Sequence, residues 1–237
     1  MSSRNELRLD WCGQDAATYA VRHWHYSGRV PKGKIAKIGV WESGQFIGCV
    51  IFGDGANNNA FKPYGVDYTG GCELVRIALR EHQASVTRIV AIALRMLKRE
   101  MPKLRVVLSF ADTEQGHIGG IYQGGGWFYI GQTTAADEYI CNGRRIHGRA
   151  LRSSLKWKGT QGKDTMEKAA KAYGNVEKLK GSVKLRYAMP LDGEMRKLLE
   201  GMRQPYPKRA GSGTIDTSAN HAEKGGAIPT PALQSHA

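Results

Sequence analysis

The feature that most constrains this fold is one amphipathic helix set between two apolar strands. Val86, Ile89, Val90, Ala93, Leu97 and Met101 recur at helical spacing, and Pro102 stops the run. Cys72 to Leu79 before it and Leu104 to Phe110 after it are short apolar runs of strand length. A chain built this way folds as a sheet covered by helices. The rest of the first two thirds agrees. Leu7 to Leu9 reads as a short strand and Asp15 to His25 as a helix. Ile35 to Trp41 and Phe46 to Phe52 flank the tight-turn sequence Glu42-Ser43-Gly44-Gln45, the signature of a hairpin. Gly116 to Gln123 is a short helix, and Trp127 to Gly131 and Glu138 to Cys141 read as closing strands. The predicted order is β-α-β-β-β-α-β-α-β-β. Further on, Asp164 to Ala172 and Glu194 to Met202 read as helices and Val183 to Met189 as a strand. We assign residues 1–158 to a catalytic domain, 159–203 to a basic extension packed on it, and 204–237 to a disordered tail dominated by Pro, Gly, Ser, Ala and Thr.

Charge narrows the function. The net charge is +14, all of it before position 210, since the remaining stretch holds one Lys and two acids. A body this basic is expected to bind a polyanion, most often nucleic acid. Arg144, Arg145, Arg149, Arg152, Lys156 and Lys158 follow one another without an acid and enclose Trp157, a mixture suited to phosphate contact with a stacking ring. These seven are the candidate DNA-binding residues. No run of about 18 apolar residues is present, so no membrane span is expected, and the cytoplasm is the expected location. Cys12, Cys49, Cys72 and Cys141 form no Cys-x-x-Cys pair and read as reduced, mostly core residues.

Two segments concentrate reactive side chains. His23-Trp24-His25-Tyr26-Ser27 ends the first helix, and Ser109-Phe110-Ala111-Asp112 ends a buried strand that runs on through Gln115, Gly116 and His117 to Tyr122. Asp112 can orient a donor or accept a proton, and Tyr122 can give one. Each also has a structural alternative: His25 as a helix C-terminal residue, Asp112 as a cap, Tyr122 as a core aromatic. The spacing of His25, Asp112 and His117 does not support a metal site.

The element order, with Ile121-Tyr122-Gln123-Gly124-Gly125-Gly126-Trp127 after the fifth strand, resembles the GNAT acyltransferase superfamily. That resemblance implies a mixed, mainly antiparallel central sheet flanked by helices, with Tyr122 as the general acid toward a leaving group. The family's pyrophosphate loop before the long helix carries glycines whose bare amides grip acyl-CoA. Here it reads Arg80-Glu81-His82-Gln83-Ala84-Ser85, without glycine. Arg80, Gln83, Ala84, Ser85, Gln115 and Gly116 are the candidate cofactor contacts, acyl-CoA is a possible donor without its loop motif, and the donor stays open.

A closer likeness is to the phage Mom proteins. It rests on His25-Tyr26-Ser27 with Pro31 and Gly33, Gly39-Val40-Trp41-Glu42, Cys72-Glu73-Leu74-Val75-Arg76, Ser109-Phe110-Ala111-Asp112, Gln115-Gly116-His117, Ile121-Tyr122-Gln123, His147-Gly148-Arg149 and Arg186-Tyr187. This resemblance implies conversion of the N6 amine of adenine in double-stranded DNA to a carbamoylmethyl form, protecting phage DNA from restriction. The expected catalytic set is His25, Tyr26, Ser27, Ser109, Asp112, His117 and Tyr122, with Asp112, His117 and Tyr122 on one face of the sheet. Two other classes stay open: a non-enzymatic DNA-binding protein on the same fold, and an acetyltransferase for another amine.

Overall fold

A computed structural model describes residues 6–208 apart from positions 32, 34, 56–58, 136, 155–162 and 182. The described chain divides into two compact units, 6–104 and 105–208. In the first unit the strands β1 (Leu7–Trp11), β2 (Ile35–Glu42), β3 (Gln45–Gly53) and β4 (Gly71–Leu79) form an antiparallel array in that order. The β2–β3 hairpin closes where the sequence places it. Ser43 and Gly44 both take positive φ (51° and 77°), the backbone that a two-residue turn needs to match the twist of its strands.

Helix α1 (Gln14–Trp24) packs on β3 and β4, and α2 (Val86–Glu100) on β1 and β2. The α1 contact is made of small residues: Ala17, Ala20 and Val21 meet Cys49, Ile51 and Ala78, all fully buried. Small side chains at the centre let helix and sheet approach closely, with Trp24 and Phe46 packed against this cluster. In α2, Ile89, Val90, Ala93, Leu94 and Leu97 are buried, and Ser85 caps the helix by accepting from the Arg88 amide.

The second unit holds β5 (Val106–Asp112), α3 (Gly120–Gly124), β6 (Phe128–Gln132), β7 (Asp137–Cys141), β8 (Arg144–His147), α4 (Gly148–Ser154), α5 (Lys163–Tyr173), β9 (Val176–Lys180), β10 (Lys184–Pro190) and α6 (Gly193–Met202). The first ten elements of the chain, β1 to β7 with α1 to α3, follow the order expected from the sequence. Their pairing departs from it. β7 joins β8 and β9 in a separate three-stranded sheet, with Tyr139, Cys141, Leu151 and Ala169 as its small core. The latest strand, β10, runs antiparallel between β5 and β6. Within the segment read as a C-terminal extension, Lys184–Pro190 thus form an internal strand of the second unit. Alternation identifies a strand but not its partner, and β10 has the buried Leu185, Tyr187 and Ala188 of a central strand.

The tail boundary also moves. Residues 204–207 pack on this unit: the Gln204 amide donates to Tyr129 O (2.8 Å), the Tyr206 hydroxyl to Trp127 O (2.8 Å), and Gln123 Nε2 to Pro207 O (3.3 Å). Positions 209–237 lie outside the described residues.

Burial pushes the thiols of Cys49 and Cys72 up to about 12, and raises those of Cys12 and Cys141. A thiol is reactive as thiolate. Native protein at pH 8 is therefore expected to react slowly with Ellman's reagent, with all four cysteines titrating once guanidinium unfolds it. Because these folded values lie above that of a free thiol, the linked stability is present at neutral pH and lost as pH rises from about 9 toward 12.

Candidate functional site

The second unit builds its site from the end of β5. Val106, Val107 and Leu108 bury the strand, so Ser109 arrives 1% exposed. A buried hydroxyl needs a partner, and Ser109 Oγ donates to Tyr122 Oη at 2.8 Å. Tyr122 comes from α3, and its ring lies 5.2 Å from Trp127 and 5.1 Å from Tyr187. Tyr187 stands opposite Ser109 in the β10–β5 register. Its hydroxyl donates to Ile118 O at 2.5 Å and accepts from Gln123 Nε2 at 3.0 Å. Burial holds the Tyr187 phenol above its ordinary range, partly offset by the Gln123 hydrogen bond. Tyr187 and Gln123 are site residues that the reasoning from residue chemistry passed over, although both lie in segments that carry the family likeness.

Asp112 sits differently. Its Oδ1 accepts from the Glu114 amide (3.1 Å), capping a 3-10 turn at Thr113–Gln115, and its Oδ2 is 3.2 Å from Lys184 Nζ. The turn ends at Gly116, and the His117 amide donates to Asp112 O. Side chains alternate along a strand, so Asp112 shares the face of Phe110 while Ser109 points to the other. The Arg186 guanidinium over the Phe110 ring, 5.9 Å from its centroid, marks that second face. Asp112 lies three positions beyond the Ser109 that holds Tyr122, so the two side chains leave β5 on opposite faces.

In the first unit, α1 delivers His25, Tyr26 and Ser27. The Ser27 amide donates to His25 Nδ1 at 3.1 Å and Ser27 Oγ lies 2.9 Å from the same nitrogen. An amide can only donate, so Nδ1 is an acceptor and the neutral ring carries its proton on Nε2. Tyr26 stacks on His25 with centroids 4.4 Å apart and stays 58% exposed.

The loop before α2 is already occupied. The amides of Gln83 and Ala84 donate to the two carboxylate oxygens of Glu42 at 2.9 and 2.7 Å, Ser85 caps the helix, and Arg80 Nη2 donates to Gln45 Oε1 at 2.5 Å. Two amides that a bound anion would use are taken by the chain's own carboxylate. No sequence spacing signals this pairing across 41 and 42 positions. Glu42→Ala is expected to lower unfolding free energy by about 1–2 kcal/mol in a urea titration, the scale of charge-assisted hydrogen bonds at a part-exposed site.

The basic stretch is reshaped too. Arg145 bridges Glu114 Oε1 (2.5 Å) and the Glu138 carboxylate, so it fastens the turn after Asp112 to β7. Arg144 is exposed. The side chains of Arg149 and Arg152, and all of Lys156, Trp157 and Lys158, lie outside the described residues. Gln115 and Gly116 are exposed in the turn. Among the described residues no three of His, Cys, Asp and Glu gather as a metal site, and no helix is long and apolar enough to cross a membrane.

Among solved structures, the chain is similar to an acetyltransferase of Bacillus subtilis in complex with CoA (10% identity, TM-score 0.42, 79% of this chain and 100% of that one). It is also similar to a putative acetyltransferase of Acinetobacter baylyi (13% identity, TM-score 0.45, 81% and 96%). The methylcarbamoylase mom of Escherichia phage Mu is 27% identical over 210 residues, covering 86% of this chain and 84% of that protein. The model of the Mom protein family matches residues 6–208, from β1 through the segment that packs beneath Trp127 and Tyr129. With both units inside that match, the chain belongs to the Mom protein family.

Proposed function

We propose that this protein is a phage DNA-modification enzyme that places a carbamoylmethyl group on the N6 amine of adenine in double-stranded DNA, shielding the DNA from restriction. Family membership supports the coarse reading, a DNA-modifying transferase, and the name of the phage Mu relative, a methylcarbamoylase, fits a transferred group of this class. The observation that carries the chemistry is the buried Ser109–Tyr122 hydroxyl pair. Because Ser109 donates, the Tyr122 oxygen accepts, and the phenolic hydrogen is directed away from Ser109. That is the disposition of a general acid.

The bond to be formed joins N6 to a methylene carbon, not to a carbonyl. An amine N–H breaks, the N–C bond forms, and the leaving group departs with its electron pair and takes a proton from Tyr122. The amine proton goes to a base of the same unit, His117, which follows the turn that Asp112 caps and whose amide donates to Asp112 O. In the first unit, the exposed Tyr26 is proposed to contact the DNA. Adenine N6 is shielded inside a duplex, so the base is extruded before reaction, at a cost of a few kcal/mol. Arg144, Arg149, Arg152, Lys156 and Lys158 hold the backbone, with Trp157 or Tyr26 against the unstacked base. Arg145, paired with two acids, contributes less than its neighbours.

The test is mass spectrometry of nucleosides from a plasmid carried in cells that express the protein, beside a Tyr122→Phe, Asp112→Ala control. The expected result is a heavier deoxyadenosine whose mass increment is that of a carbamoylmethyl group and which is missing in the control. Unchanged nucleosides from soluble, DNA-bound protein would overturn the enzymatic reading in favour of a binding protein. An acetyl increment would favour an acetyltransferase, a reading that the Glu42 occupation of the loop amides already disfavours.

A further inference from the structure

The first unit carries a surface, with Tyr26 in it, whose chemistry fits nucleic acid. Between Asp15 and Glu42 the chain has Arg22, Arg29, Lys32, Lys34 and Lys37 and no acid at all. The solvent stripe of α1 presents Tyr19, Arg22 and His23 at helical spacing, and the chain then continues through Tyr26 to Arg29; all five are exposed. Two of them are large rings left in water: Tyr19 is 52% exposed and Tyr26 58%. Each ring packs against a histidine. His23 lies 4.2 Å from Tyr19 at 30°, with His23 Nδ1 bonded to Tyr19 O at 2.8 Å, and His25 lies 4.4 Å from Tyr26 at 28°.

Exposed aromatic rings gain nothing from folding by staying in water, and isolated ones are ordinary. Two that are each packed against a histidine and interleaved with cations on one acid-free segment have the composition of a single-strand stacking platform. The rings offer faces to an unstacked base, and the guanidinium groups offer phosphate contacts.

We infer that the Tyr19–Arg22–His23 face of α1, with Tyr26 and Arg29, is a DNA-docking surface that receives the backbone and an unstacked base. The inference rests on the DNA reading given above, and the complementarity of charge selects the partner. Rings already packed against a histidine lose less freedom on binding, which favours affinity.

The experiment is fluorescence anisotropy of the full-length protein with a short labelled duplex, fully paired or with one unpaired adenine, across a salt series. The paired Arg22→Gln, Arg29→Gln variant is expected to reduce the slope of log K against log salt by about 2, near 0.9 per phosphate contact. Tyr19→Ala is expected to weaken binding to the unpaired-adenine duplex about tenfold with the slope unchanged, and Tyr19→Phe to restore it. Affinities within twofold of wild type and an unaltered slope, on top of a steep wild-type slope, would overturn this surface alone. A wild-type slope near zero would sink both this surface and the DNA reading. Circular dichroism of the exposed-site variants keeps loss of fold separate from loss of binding.

Discussion

Tyr122→Phe is expected to cut the yield of modified deoxyadenosine about 100-fold or more, the contribution of a positioned proton donor, while changing the unfolding free energy by only about 1 kcal/mol. The substitution removes one oxygen and leaves the ring, so the contacts with Trp127 and Tyr187 at 5.2 and 5.1 Å persist. What disappears is the acceptor for Ser109 and the hydrogen directed away from it. Ser109→Ala separates the two roles. It deletes the same hydrogen bond but keeps the phenol, so its stability loss should match that of Tyr122→Phe and its activity loss should be much smaller. The checks are the nucleoside yield and a urea titration for each variant. Equal activity loss in both would mean that the hydrogen bond positions the ring. Full activity in Tyr122→Phe would make Tyr122 a core aromatic only.

Gly119→Ala carries the larger effect on stability. Gly119 precedes α3 at φ +82°, where a side chain is strained, and a Cβ there would lie 2.5 Å from Tyr187 Cζ and 2.7 Å from its hydroxyl. Tyr187 cannot swing aside: it is fully buried, its hydroxyl is bound to Ile118 O and Gln123, and Tyr122 and Tyr129 flank its ring. Left-handed backbone costs a non-glycine residue about 1 kcal/mol and overpacking about 1–3 kcal/mol more. The expected loss is therefore about 2–4 kcal/mol, read from denaturant unfolding. Adding Tyr187→Ala removes the clash, so the double variant should lose less than the sum of the singles. Strict additivity would show that Gly119 and Tyr187 do not constrain each other.

Both outcomes turn on Tyr187, which bears on what could be read in advance. Its segment, Arg186-Tyr187, was part of the family likeness, but nothing local said that this tyrosine would stand opposite Ser109. The pairing depends on β10 entering between β5 and β6. Arg145 is the converse case. Among clustered basic residues it reads as a phosphate contact, yet Glu114 and Glu138 already bind it. Glu42 stood in the hairpin turn and in the family likeness, but nothing local placed its carboxylate on the Gln83 and Ala84 amides.

The sequence by itself determined the first ten elements and their order, from the β2–β3 turn to the Pro102 stop after α2, but not β8, α4 or β9. Those signals come from neighbours a few positions apart, where periodicity, caps and turn residues act through local backbone geometry. It also determined which strand end bears Ser109 and Asp112 and how basic the chain is. The tertiary structure alone decided that β7 leaves for a second sheet, that β10 becomes a central strand, and that Asp112 turns to the face opposite Ser109. Strand partners are chosen by burial and hydrogen bonding between segments distant in the chain. Because side chains alternate with a period of two, that choice of register settles which groups meet and which are held apart.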